Sequence, residues 1–132
     1  MTAGLASTGY ANKVLDHIHR AQASTAPAGN FVKLHTGDPG AAAATAASSV
    51  TTRPAATFGS AASAGSISMT NTPSWTSWAG TNGEVVTHIS VWDAATVGTF
   101  LYSVALTASK TVNTGDTLTL SSLSVSLAPI AA

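Results

Sequence analysis

Between Val85 and Leu127 apolar residues recur at every second position, the signature of half-buried β-strands. Phe100, Tyr102, Val104 and Leu106 alternate without a break, and Leu101 and Ala105 fall on the back of that strand. Upstream, the stretch from Val85 to Trp92 places Val85, Thr87, Ile89 and Val91 on one side and Val86, His88, Ser90 and Trp92 on the other. After a turn at Val112 to Asp116, Leu118 and Leu120 share one parity while Leu123, Val125 and Leu127 share the other. Side chains alternate with a period of two, so keeping both leucine sets inward requires a bulge or tight bend at Ser121-Ser122.

A different period governs the N-terminal part. Tyr10, Val14, Ile18 and Ala21, joined by Ala11 and Leu15, predict one amphipathic helix from about Ser7 to Ala23. Ser7 or Thr8 can cap it, and Asp16 with Arg20 makes an i,i+4 pair on its wet face. Pro27 and Gly29 end this segment before a short strand, Phe31 to His35, and a turn through Gly40. Ala41 to Ser49 offers no large apolar side chain to dock it, which predicts a mobile or partner-held loop. Val50 to Phe58 reads as extended, with Pro54 marking an edge, and Ile67 and Met69 give a short strand with one buried face. The whole predicts a mainly β chain: an antiparallel sandwich or barrel with one N-terminal helix and a low-complexity Ala/Ser/Thr loop. A length of 132 residues fits a single domain, with arm and helix at 1–25 and a β part at 30–132.

Composition turns attention from chemistry to contact. Charged residues make up 8% of the chain, against about 25% in a typical soluble domain. Five acids and five bases cancel, so the surface reads as one meant to be covered. The absence of cysteine excludes disulfides, a thiolate nucleophile and Cys-ligated metal. No apolar run approaches the roughly 18 to 20 residues of a membrane span, and MTAGLASTGY lacks the basic start and apolar centre of a signal peptide, so cytoplasmic synthesis and no membrane partner are expected. Lys and Arg are scattered singly, which argues against direct nucleic-acid binding.

Candidate reactive residues resolve into ordinary roles. His17 and His19 are two apart, whereas a helical zinc pair needs a spacing of three or four. His88 shares a strand face with Trp92 and reads as a sheet residue. His35 and Asp38 lie close together, but no G-x-S-x-G elbow accompanies them; Asp38, Pro39 and Gly40 fit turn chemistry instead. Asp93 and Asp116 likewise sit at turns, and no Gly-rich phosphate loop precedes a helix. No enzyme activity, catalytic residue, metal site or cofactor is therefore expected. Trp75 and Trp78 keep three readings open: core or capping residues, anchors of a protein interface, or a platform for a sugar ring.

Four segments carry a resemblance. LHTGDPG (Leu34 to Gly40), the extended segment through Arg53 and Phe58, THISVWDAATVGTFLYSVALTASKTVNTGDTLTL (Thr87 to Leu120) and the helix ANKVLDHIHR together resemble small virion proteins of tailed bacteriophages, especially those of actinobacterial hosts. The resemblance spans most of the chain, although Val104 stands where that family usually has Gly. It implies a virion structural protein without a catalytic motif, of a kind commonly labelled tail fibre or minor tail protein.

A nearly uncharged, cysteine-free domain with a protruding helix and small-residue arms suits a second place in the virion. On this reading it is a capsid decoration protein on the capsid exterior, a homo-oligomer with a trimer favoured, binding the major capsid protein. A fibre would more often show repeats or a coiled-coil shaft, and neither is present. The sequence expectation is thus decoration first and, as the alternative, a minor tail or fibre protein attached to a host surface glycan. The expected contact residues are Met1, Thr2 and Leu5 in the arm and Ala41, Ala42, Ala43 and Ala44 in the loop, neither segment having a core role. Trp75 and Trp78 follow.

Overall fold

The computed structural model describes residues 3–128. A single π-helical turn, Ser7–Ala11, runs into α1, Asn12–Arg20. Seven strands follow: β1 Phe31–His35, β2 Ser66–Ser68, β3 Ser74–Trp75, β4 Glu84–Trp92, β5 Phe100–Val112, β6 Leu118–Thr119 and β7 Ser124–Ser126. All pairings are antiparallel. One sheet has the order β1-β4-β5, and two ribbons pair β2 with β7 and β3 with β6. No barrel closes among the described residues; the three-stranded sheet and the ribbons share one apolar core, as in a sandwich.

Register explains which side chains fill that core. Val32 lies opposite Val91 and Leu34 opposite Ile89, and these in turn lie opposite Tyr102 and Val104 of β5. Directly opposed residues share a face, so these six define the inner side of the sheet. Trp75, Trp78, Ala56 and Leu123 pack against it, with half-buried Leu118, Leu120, Val125 and Met69 around them.

Two register slips correct the simple alternation. Between Val86 and His88, β4 has only Thr87 while β5 has Leu106 to Ser109, so β5 carries three extra residues in a bulge, with Leu106 still packed against the core. The inward position on β4 changes across this slip: Val86 is buried and Val85 exposed, the reverse of what the alternation predicts. A second slip leaves Leu101 without an opposed partner, and Leu101 is buried beside Tyr102 while Val104 is part-exposed.

The change of parity among the C-terminal leucines takes the form of a change of partner. β6 pairs with β3, the chain is irregular from Leu120 to Leu123, and β7 then pairs with β2. Leu118, Leu120, Leu123 and Val125 all meet the core by this route, but Leu127 is exposed.

Two segments expected to be free of the core are tied to it. The Ala N–H at position 6 donates to the Leu101 carbonyl at 2.8 Å and Ser103 N–H donates to the Gly4 carbonyl at 2.9 Å, so the arm lies along β5 like a further strand. The π turn packs so closely that a Cβ at Gly9 would collide with the Phe100 carbonyl oxygen. The Ala/Ser/Thr loop folds back over the end of β1 through Thr36 N–H to Ala46 O (2.8 Å) and Ser48 N–H to Leu34 O (3.0 Å). Small side chains permit this close cover, and the segment is a set of bonded turns instead of a loose loop. α1 ends at Arg20, three residues before the expected Ala23, because Ala21 takes the left-handed conformation at φ 52° and caps it.

Candidate functional site

The residues expected at an interface separate into different environments. Met1 and Thr2 lie outside the described residues. Leu5 projects a part-exposed side chain from the paired arm, and Ala41, Ala42 and Ala44 are exposed on the turn while Ala43 is buried beneath it. Trp75 and Trp78 are 4% and 2% exposed, and their indole N–H groups donate to the Thr52 and Thr81 carbonyls at 3.0 and 3.1 Å. They fill the core between sheet and ribbons, so neither presents a ring face to a partner or a sugar. Burial removes a large apolar surface from water and the indole N–H finds a carbonyl, which accounts for both halves of the side chain.

The turn acids hold backbone. Asp38 accepts from Gly40 N–H at 2.8 Å, with Gly40 at φ +74°. Asp93 accepts from Thr99 N–H at 2.6 Å and Asp116 from Asn113 N–H at 2.9 Å. Glu84 receives the Ser48 hydroxyl and the Ser49 backbone N–H. Burial pushes the Glu84 carboxyl up, but those bonds outweigh it and hold the group below its ordinary value. Among the described residues no group of three or more His, Asp or Glu could hold a metal ion, and no helix is long and apolar enough to cross a membrane.

The outer face of the β1-β4-β5 sheet holds an arrangement that the alternation does not announce. Phe31, Lys33 and His35 of β1 lie opposite Trp92, Ser90 and His88 of β4. His35 is buried, with Nδ1 at 2.9 Å from the Thr45 carbonyl and Nε2 at 2.7 Å from the Ser90 hydroxyl, which also receives the Trp92 indole N–H at 2.9 Å. A carbonyl only accepts, so Nδ1 carries the proton and Ser90 donates to Nε2. This relay fits neutral His35. Burial lowers its pKa from the ordinary 6.5, more strongly than the Thr45 bond raises it, and nearby Lys33 adds to the lowering.

Above this relay, Arg53 stacks on the Trp92 ring with Cζ 4.2 Å from its centre, and the Lys33 ammonium lies 5.9 Å from the same centre. Phe100 tilts against Trp92 at 5.7 Å. Arg53 Nη1 donates to the Val97 carbonyl at 2.8 Å and to Ala94 at 3.4 Å, joining the 50–58 segment to the β4–β5 turn. Lys33 was legible only as a cation inside an apolar strand. Its meeting with Arg53 depends on a register that no local pattern specifies.

A second exposed feature is α1. Tyr10 packs edge-on against Tyr102 at 6.1 Å, but Leu15 is 56% and Ile18 68% exposed. The apolar stripe of the helix thus runs past the core that its first turn meets.

A family model described as podophage GP4 fiber I protein gp80 matches residues 5–128, nearly the whole chain. The chain belongs to this phage fibre family. No curated protein matches it. Membership in the fibre family makes it a bacteriophage structural protein of fibre type and implies a place in the virion, associated with the tail. The expectation of capsid decoration draws no support from this membership, since the family is described as a fibre. The fibre alternative drawn from the sequence is the one it favours.

Proposed function

We propose that the chain is a non-enzymatic fibre subunit on the phage tail, serving attachment to the host surface. The family match over residues 5–128 is the observation that carries this reading. The structure is compatible with it in a specific way: the turn acids serve backbone, His35 is closed into a relay, and the exposed features are surfaces. Copies of the chain associate through the apolar stripe of α1, where Leu15 and Ile18 are open to solvent. A fibre needs such a self-contact, and the low charge of the chain permits close approach of copies.

Labelling of intact virions with an antibody against the chain tests the assignment. Label at the tail is the expected result, whereas label spread over the capsid exterior, with the major capsid protein as the cross-linked neighbour, would replace the fibre reading by decoration. Self-association is checked by the mass of the purified protein in solution. Ile18→Glu should lower the oligomer to a monomer without unfolding the sheet.

A further inference from the structure

The cancelling charges of this chain are unevenly placed. Every carboxylate among the described residues already has a partner: Asp16 pairs with Arg20 at 3.0 Å, Glu84 with Ser48 and Ser49, and Asp38, Asp93 and Asp116 with turn N–H groups. Among the described residues none lies within ion-pair distance of Lys33 or Arg53. These two cations nevertheless share the surroundings of one indole.

A purely structural role explains part of this. Arg53 Nη1 ties down the β4–β5 turn through two carbonyls. It does not explain Lys33, because an ammonium beside a guanidinium is repelled. Burial and then Arg53 both lower the Lys33 pKa. The Arg53 Nε and Nη2 groups and the whole Lys33 ammonium have no protein acceptor among the described residues, although both side chains are half-buried. Unused donors of one sign on two side chains that meet the same indole match a ligand of the other sign. Phe31, Trp92 and Phe100 form a row across the three strands beside them, all half-buried, and give that ligand an apolar flank.

We infer that Lys33, Arg53 and the Phe31-Trp92-Phe100 row form a binding site for an anionic saccharide, its carboxylate or phosphate held by the two cations and its ring against the aromatic row. Two cations suit a single acidic group, whereas a nucleic-acid backbone would call for a stripe of them. The choice of a saccharide rests on the fibre reading, since a host surface is where such a subunit meets its ligand. The His35-Ser90-Trp92 relay fixes the indole from below, so the site sits on a rigid sheet.

The test uses the full chain and four probes: glucuronic acid, glucose 1-phosphate, inorganic phosphate and neutral glucose. Titration followed by NMR of the Trp92 indole N–H is expected to show saturable shifts with the two acidic sugars and none with glucose. Lys33→Met and Arg53→Met should each weaken binding about tenfold or more, and Lys110→Met, away from the aromatic row, should leave it unchanged. Thermal melting separates this from a structural role: Lys33→Met should melt close to the parent, because the repulsion from Arg53 that it relieves offsets the long contact with the Trp92 ring that it removes. Should Arg53→Met fail to fold, Arg53→Lys retains the charge and is expected to bind more weakly while folding. Equal binding by the Lys33 and Arg53 variants, or by glucose, would overturn the site. Inorganic phosphate binding as tightly as glucose 1-phosphate would overturn the saccharide assignment and leave an ion site only. Failure of the fibre reading shows separately, as capsid label on virions whose purified subunit still binds acidic sugar.

Discussion

Val32, Leu34, Ile89 and Val91 occupy one face of the β1-β4-β5 sheet, and Lys33, His35, Ser90 and Trp92 the other, on the same strands and in the same register. The inner four are fully buried among aliphatic and indole side chains. The outer four are linked by hydrogen bonds and cation–ring contacts, with the buried His35 and Ser90 beneath the half-exposed Lys33 and Trp92. One face therefore carries stability through area removed from water. The other is polar and ordered, at a cost that packing alone would not require, and this contrast points to recognition on the outer side.

The largest effect should come from the inner face. Ile89→Ala deletes a fully buried side chain facing Leu34 and Trp75, and about 2–5 kcal/mol of stability should be lost in urea unfolding. On the outer face, Ser90→Ala removes the hydroxyl between His35 and Trp92 and leaves a buried Nε2 and an indole N–H unpaired. A loss of about 1–3 kcal/mol is expected, together with a shifted Trp92 indole resonance. A result as large as for Ile89→Ala would dissolve the distinction between the two faces.

Tyr102 offers a sharper case, because its hydroxyl is buried without a hydrogen-bond partner among the described residues. Burial first, and then the neighbouring Tyr10, push its ionisation above the ordinary phenol range. Tyr102→Phe removes only this orphan and keeps the edge-on contact with Tyr10, so stability should rise by about 1 kcal/mol in the same unfolding assay. A loss would mean that the hydroxyl has an acceptor.

The smallest effect is one of pH. The folded-state pKa of His35 is depressed below the ordinary 6.5, so the unfolded chain takes up a proton first as pH falls. The stability that His35 contributes is present above about pH 6.5 and declines below it, until the folded-state pKa is passed. Glu84, also depressed, adds a further loss as pH falls below its ordinary 4.5 and through its folded value. Unfolding midpoints measured between pH 7 and pH 5 should fall for the parent and flatten for His35→Asn.

The local patterns of the chain were legible where a single period governs them. Phe100 to Val112 alternates and is a strand, and Tyr10 to Ile18 is helical at the spacing its apolar residues show. Asp38-Pro39-Gly40 declares its turn because positive φ and an Asx bond need those residue types. Register was not legible. The bulge at Leu106 to Ser109 exchanges Val85 for Val86 in the core, and nothing in the alternation itself places that slip. The burial of Trp75 and Trp78 depends on ribbons whose strands lie far apart in the chain, such as β3 with β6 at Ser74 and Thr119. The site around Trp92 escaped for the same reason, since Lys33, Arg53 and Trp92 become neighbours only after β1 pairs with β4. The apolar stripe of α1 was visible and the helix was expected to protrude, but periodicity alone reports a face without saying what covers it.

The claim that the outer face of the sheet is what this fibre presents to its host is tested most directly by adsorption of phage carrying Lys33→Met and Arg53→Met together. The rate of attachment to host cells should fall about tenfold or more, with particle number and tail labelling equal to the parent. Unchanged adsorption by such particles would contradict the account.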